Sequence, residues 1–370
     1  MSKAAELANL IGNINAGGGG VNRNVIINGA MNVAQRSTSE TGKGDADGYF
    51  TCDRWNIDVG VSGDASAGRF TMSQDSSAPS GFANSLKLAC TTADTSIASG
   101  ERLQLQQLIE GQNLQAFAKG TSDAKPFAVS FYVKGNASAT YVCELFDLDN
   151  TRQCSKTFNV TTDWTRVELT FPADTTGALD DDNAASLMIN IFLHAGSGRT
   201  SGTLNSSGFA SSTTANRAVG ISSFFDSTSR TFFITGVQLE VGQNATEFEH
   251  EPVPQTLHKC YRYFYATAFV GTGVFNSDSQ CLVSLNPPNT FRVAPSVSMK
   301  SGGFTNINVE HLDNYDISGV AFGHASDEDY HVGINPVLTI SMPGRSGYSG
   351  NAGLVGTDRN DDAFFFSAEL

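Results

Sequence analysis

One pattern repeats for most of this chain. Short runs in which apolar and polar side chains alternate are each followed by a turn rich in Gly, Ser, Asn or Asp, and FAVSFYV at 127–133 and TRVELTF at 165–171 are clear cases. A two-residue period puts successive side chains on opposite faces of an extended backbone, so each run is a strand with one face toward a core. Strands are expected at 49–59, 69–72, 84–90, 101–109, 127–133, 140–145, 152–158, 165–171, 186–193 and 231–239. A spacing of roughly ten to twenty residues predicts an all-β fold, an antiparallel β-sandwich or jelly roll. Trp164 opens one strand and is expected to be a core indole anchoring a sheet edge. Asp53, Arg54 and Trp55 would combine a buried indole with a nearby ion pair. The run NVIINGAMNV at 24–33 reads as a β-hairpin turned at Asn28-Gly29, since Asn-Gly supplies the positive φ a tight turn demands. The Gly/Ser-rich segment 196–214 is expected to be a surface loop, mobile or docked on a neighbouring subunit.

The pattern changes at 232–265. Val237, Leu239 and Val241 alternate with Gln238 and Glu240, as in a half-buried strand; Pro252 and Pro254 then end any ladder, and Leu257, Tyr261 and Phe264 follow at helical spacing or in a tight connector. This predicts a hinge at 252–265 between a first β-domain and a second small one at 266–370, with strands at 281–285, 297–299, 306–309, 320–322, 337–342 and 363–366. At the other end, Ala4, Leu7, Ala8 and Ile11 share one face of a short helix, with Gly12 at its C-cap and a Gly17–Gly20 linker behind it. So short a helix needs an apolar partner, and a second copy of itself would supply one.

The chain has 37 acidic against 23 basic side chains, a formal net charge of −14. Phosphate backbones need clustered lysine and arginine, so nucleic acid is not expected as a partner. The first residues lack the apolar core of a signal peptide, and no stretch resembles a membrane span. Six scattered cysteines without C-x-x-C or metal-type spacing read as buried free thiols.

No nucleophile elbow, phosphate loop or H-E-x-x-H is present, so no catalytic residue is assigned and no enzyme is expected. Glu240 reads as structural, because nothing in the sequence places a second carboxylate beside it. The run from Asp147 to Asn150 fails as an EF-hand: Arg152 stands where the turn glycine belongs, and Phe158 where the bidentate glutamate belongs. Asp180, Asp181 and Asp182 read as a solvated acidic turn, and no metal or cofactor is assigned. For recognition of a sugar or protein, the candidates are Tyr315, Asp316, His324, Tyr330 and Tyr348, which set aromatic faces among hydrogen-bonding side chains in C-terminal loops.

Four segments then carry a resemblance. They are NVIINGAMNVAQRS with GYFTCDRWNI, LQLQQLIEGQNL with FAVSFYVKG, TDWTRVELTFP, and FITGVQLEVGQNATEFEHEP with KCYRYFY. In this order, over about residues 24–265, they are similar to a group of bacteriophage tail-fibre and related virion proteins whose middle domain looks like a carbohydrate-binding-module jelly roll. FRVAPSVSM and the ending SAEL are also similar to tail-fibre ends. The resemblance implies a virion protein of the tail, assembled in the host cytoplasm: a tail fibre or receptor-binding protein that attaches to the host surface. Residues 1–23 would be the virion anchor and trimerisation helix with its linker, 24–251 the jelly roll, 252–265 the hinge and 266–370 the tip. It further implies a homotrimer joined to other tail proteins through Ala4, Leu7, Ala8 and Ile11, with a host glycan or protein as receptor and no membrane insertion. Two other roles fit the same modules, a capsid or collar decoration protein and a polysaccharide-degrading tailspike.

Overall fold

The computed structural model describes residues 2–15, 22–60, 66–277, 280–284, 286–300, 307–309, 319–322, 337–341, 352–357 and 364–370. The chain forms two compact units, Met1–Thr256 with Leu370, and Leu257–Glu369.

In the first unit the strands are β1 Ser39–Lys43, β2 Gly48–Tyr49, β3 Asn56–Asp58, β4 Arg69–Asp75, β5 Ser85–Thr92, β6 Arg102–Glu110, β7 Phe127–Gly135, β8 Ala139–Asp147, β9 Arg152–Val160, β10 Thr165–Phe171, β11 Ala185–Ala195, β12 Ala210–Ser211 and β13 Thr231–Val241. They make two antiparallel sheets, a six-stranded one in the order β1-β4-β5-β13-β7-β10 and a seven-stranded one in the order β12-β9-β8-β11-β6-β3-β2. Successive strands cross repeatedly from one sheet to the other, as a jelly roll requires. Phe127, Val129, Phe131 and Val133 of β7 and Phe232, Ile234, Val237 and Leu239 of β13 face Leu103 and Leu105 of β6 and Leu187, Ile189 and Ile191 of β11, all in one core. The alternation read from the sequence is this inward face.

Three local expectations are corrected. Residues 24–33 form no hairpin ladder: Asn28 takes φ +58 and its carboxamide latches the loop, bonding both the N–H and the C=O of Val33. The chain runs instead beside β13, Val25 N–H donating to Leu239 O (3.0 Å) and Val237 N–H to Gly29 O (3.0 Å). Gly29 is required by that approach, since a Cβ there would sit 2.1 Å from the Val237 carbonyl oxygen. The run 49–59 is no single strand but β2 and β3 joined by a turn in which Arg54 has φ +72; Trp55 is fully buried with Nε1 donating to Asn28 O, and Arg54 Nη2 donates to Leu108 O. The segment 196–214 is held by its own domain. It contains α2 (Ser197–Thr200) and β12, and its backbone bonds Glu101, Thr151 and β9.

The N-terminal helix forms as α1, Lys3–Asn15, and runs through Gly12 rather than ending there. The second helix expectation holds in part: α3 spans Val253–Cys260 and includes Leu257, with Pro254 in its first turn, where a missing N–H costs no helical bond, but Tyr261 lies in the turn that follows and Phe264 opens a strand. Beyond it the second unit is built of strands. Its three-stranded sheet sets Phe364–Ser367 between Phe264–Thr267 and Ser296–Met299, with Phe364 and Phe366 fully buried. A six-stranded antiparallel sheet includes Phe269–Ser277 paired with Gln280–Ser284 and with Ala352–Thr357. All six cysteines are free and buried, and burial pushes the thiols of Cys154 and Cys281 up to about 11, so they behave as apolar core side chains.

Candidate functional site

The outward faces of the two sheets differ in kind. On the seven-stranded sheet, Asn56, Gln106, Asn190, Glu144 and Ser155 stand directly opposite one another across β3, β6, β11, β8 and β9, a polar row perpendicular to the strands. The segment leading to β13 closes over it. Arg217 grips Glu144 with two bonds of 2.9 and 2.6 Å and lies over the rings of Phe146 (4.6 Å) and Phe192 (5.4 Å). Glu144 and Asn190 have no exposed surface. Asn190 Oδ1 and Gln104 Nε2 are buried with no partner among the described residues, the condition in which ordered water completes a polar core.

The six-stranded sheet leaves its outward face open only in part, around Phe233 of β13 and not at Gln238 and Glu240. Ser73, Lys87, Phe233 and Lys134 are aligned across β4, β5, β13 and β7. Trp164 continues this row: Thr165 pairs with Val133 and shares the inward register of Val167, so the residue before it points outward. The expected core indole is therefore a surface one, half-buried, with its ring 6.1 Å from that of Phe233 at 69°. Lys87 lies 5.2 Å over the Phe233 ring and pairs with Asp75 at 3.1 Å. In the next row Tyr132 meets Phe82 (5.4 Å), and Phe82 meets Phe248 (5.1 Å) and His250 (5.0 Å). Phe82 fits because Gly236, φ +64 at the β13 bulge, has no side chain beneath the ring.

This aromatic strip leads into a shallow polar depression of about 30 Å³. Asn24, Asn32, Phe248, Glu249, His250 and Glu251 help line it. Part of the lining is structural: Glu249 accepts from the backbone N–H groups of Asn22 and Asn24, and Asn24 bridges Val237 O and Leu239 N–H. Rings half-open to solvent, with amides and acids beside them, offer flat apolar faces together with hydroxyl partners.

Other charged clusters are internal. Gln238 and Glu240 are covered on their polar face, so β13 is buried on both sides: Glu240 accepts from Thr246 N–H (2.7 Å) and Oγ1, and pairs with Arg23 at 3.5 Å. It is structural, as the sequence suggested. No metal-type cluster occurs among the described residues. Where Asp147 and Asp174 converge, the cation is the ammonium of Lys119, fully buried and also bonded to Thr176 O (3.0 Å) and Gly177 O (2.8 Å). His194 sits between Ser223 Oγ (2.8 Å) and Glu101 (3.1 Å), but Ser223 also accepts from Phe225 N–H, so the hydroxyl caps a turn.

Tyr315, Asp316, His324, Tyr330 and Tyr348 lie outside the described residues. Ala4, Leu7, Ala8 and Ile11 are together on one exposed face of α1, Leu7 57% and Ile11 48% exposed. The strip itself escaped sequence reasoning. The available signal was parity, which turns Trp164, Phe233 and Tyr132 away from the core.

Neither a protein-family model nor a curated protein matches the chain. Among solved structures it is similar to a family 4 carbohydrate-binding module (14% identity over 51% of this chain and 87% of that one, TM-score 0.28). It is also similar to a family 11 module from Clostridium thermocellum in complex with a β-1,3-1,4-mixed-linked tetrasaccharide (11%, 58% and 99%, TM-score 0.27). A third is a family 61 module in complex with β-1,4-galactotriose (10%, 59% and 99%, TM-score 0.29). The jelly-roll assignment rests on this chain's own strand order.

Proposed function

We propose that this protein is a glycan-binding attachment protein, and that it serves as a fibre of a bacteriophage tail. The observation that carries the binding reading is the aromatic strip from Trp164 and Phe233 to Phe82 and His250, open along part of one sheet face and ending in a shallow polar depression. Sugar rings present apolar C–H faces to aromatic side chains, while their hydroxyls need amides and carboxylates at the edge. The virion reading rests on the four ordered segments, which resemble tail-fibre proteins. In this account the jelly roll is a binding shoulder rather than a catalyst, 266–370 is the tip, and α1 gathers three copies through Leu7 and Ile11. Three copies multiply weak contacts into firm adhesion.

Gold-labelled antibody against the jelly roll on intact particles tests the placement. Label at the tail supports it, and label on the capsid shell replaces it with a decoration role. Incubating the protein with host polysaccharide tests the absence of catalysis, which shortening of the polymer would overturn.

A further inference from the structure

Resting on that glycan-binding reading, we infer that the open sheet face selects an acidic sugar, with Lys134 meeting its carboxylate. Lys134 sits directly across from Phe233 and beside Trp164, on the strand over which the two rings approach to 6.1 Å. It is half-buried, and no carboxylate among the described residues pairs with it. Its neighbours differ in this respect. Lys87 is held by Asp75 (3.1 Å), and Arg166, one row on, by Glu168 (2.6 Å) and Glu247 (3.2 Å). Lys134 therefore sets a positive charge without a carboxylate partner among the described residues between two aromatic rings, on a chain whose net charge is −14. In so acidic a protein long-range attraction does not gather anions, so a lone ammonium acts only at contact range. A neutral sugar stacked on Trp164 would leave that ammonium half-desolvated and unmet. A uronic or sialic acid in the same place brings a carboxylate to it, a charge-assisted hydrogen bond beside a stacked ring. Lys87, 5.2 Å over the Phe233 ring on the far side of the row, is neutralised by Asp75 and leaves Lys134 to make the contact.

The test uses the full-length chain against polygalacturonate, polyglucuronate, alginate and polysialic acid, each beside its carboxyl-reduced form. The inference expects binding to at least one acidic polymer, with a loss of about tenfold or more on carboxyl reduction. Affinity should fall as salt rises from about 50 to about 500 mM. Lys134→Gln should reproduce the loss at unchanged melting temperature, Lys134→Arg should largely retain binding, and Trp164→Ala should weaken acidic and reduced polymers alike. Equal binding to acidic and reduced forms, or no effect of Lys134→Gln, overturns the acidic selection and leaves the glycan reading standing. Binding to none of the polymers in either form counts against the glycan reading and this inference together.

Discussion

At the residue scale, His194 and Lys119 are buried ionisable groups held by named partners, and the loss of each has a definite sign. Burial pushes the His194 imidazole below its ordinary range, against the smaller opposite pull of Glu101 and Asp94; Ser223 and the Phe225 ring complete its surroundings. Above the unfolded histidine's ordinary value of 6.5 both states are neutral, and this group costs no stability. As pH falls below that value the unfolded chain takes up a proton that the folded one refuses, and stability is lost until the folded imidazole titrates. Urea unfolding at pH 7.5 and pH 5 should therefore show a loss in the native protein that His194→Gln reduces; an unchanged loss would remove His194 from the account. Lys119 is a sharper case. Lys119→Met leaves the carboxylates of Asp147 and Asp174 facing each other without their buried ammonium, and should cost about 3–5 kcal/mol in denaturant unfolding. A cost below about 1 kcal/mol would mean that the cluster relaxes or hydrates.

At the element scale, strands of strict period two were legible and irregular segments were not. TRVELTF became β10 residue for residue, because alternation alone fixes which side chains are buried. The run NVIINGAMNV carries a hairpin signature, yet Asn28 spends its amide on Val33 and Gly29 lies against Val237 O; these bonds join positions far apart in sequence, so no local rule foretells them. The same holds for 196–214, whose Gly/Ser composition signals a loop but not the neighbouring Arg217 that closes over Glu144. The alternation in β13 predicts a half-buried strand and misses its covered polar face for the same reason, the cover coming from Thr246 and Arg23. The aromatic strip was half legible: parity assigns each ring a face, but only the sheet order brings β10, β7 and β13 side by side. Gly29→Ala should cost about 1–3 kcal/mol by thermal unfolding, because the new Cβ meets a backbone carbonyl that cannot step aside. Gly208→Ala, with nothing within 4 Å, is its neutral control.

At the scale of the whole molecule, the chain forms two compact units and α1 exposes an apolar face at Leu7 and Ile11. If α1 gathers copies, light scattering should give about three times the 39.2 kDa chain mass, and Leu7→Asp with Ile11→Asp should return the monomer mass without changing the unfolding of the sandwich. A monomeric native protein would contradict the trimer. The central claim is that the outward face of the six-stranded sheet binds glycan. It is tested most directly by titrating host-surface polysaccharide into the native protein and into the Trp164→Ala/Phe233→Ala double variant. Both side chains are half-buried on the outer face, so the fold should survive their truncation. The account predicts saturable binding by the native protein and a loss of about tenfold or more in the variant, at closely similar melting temperatures. Equal affinity in the two proteins would contradict it.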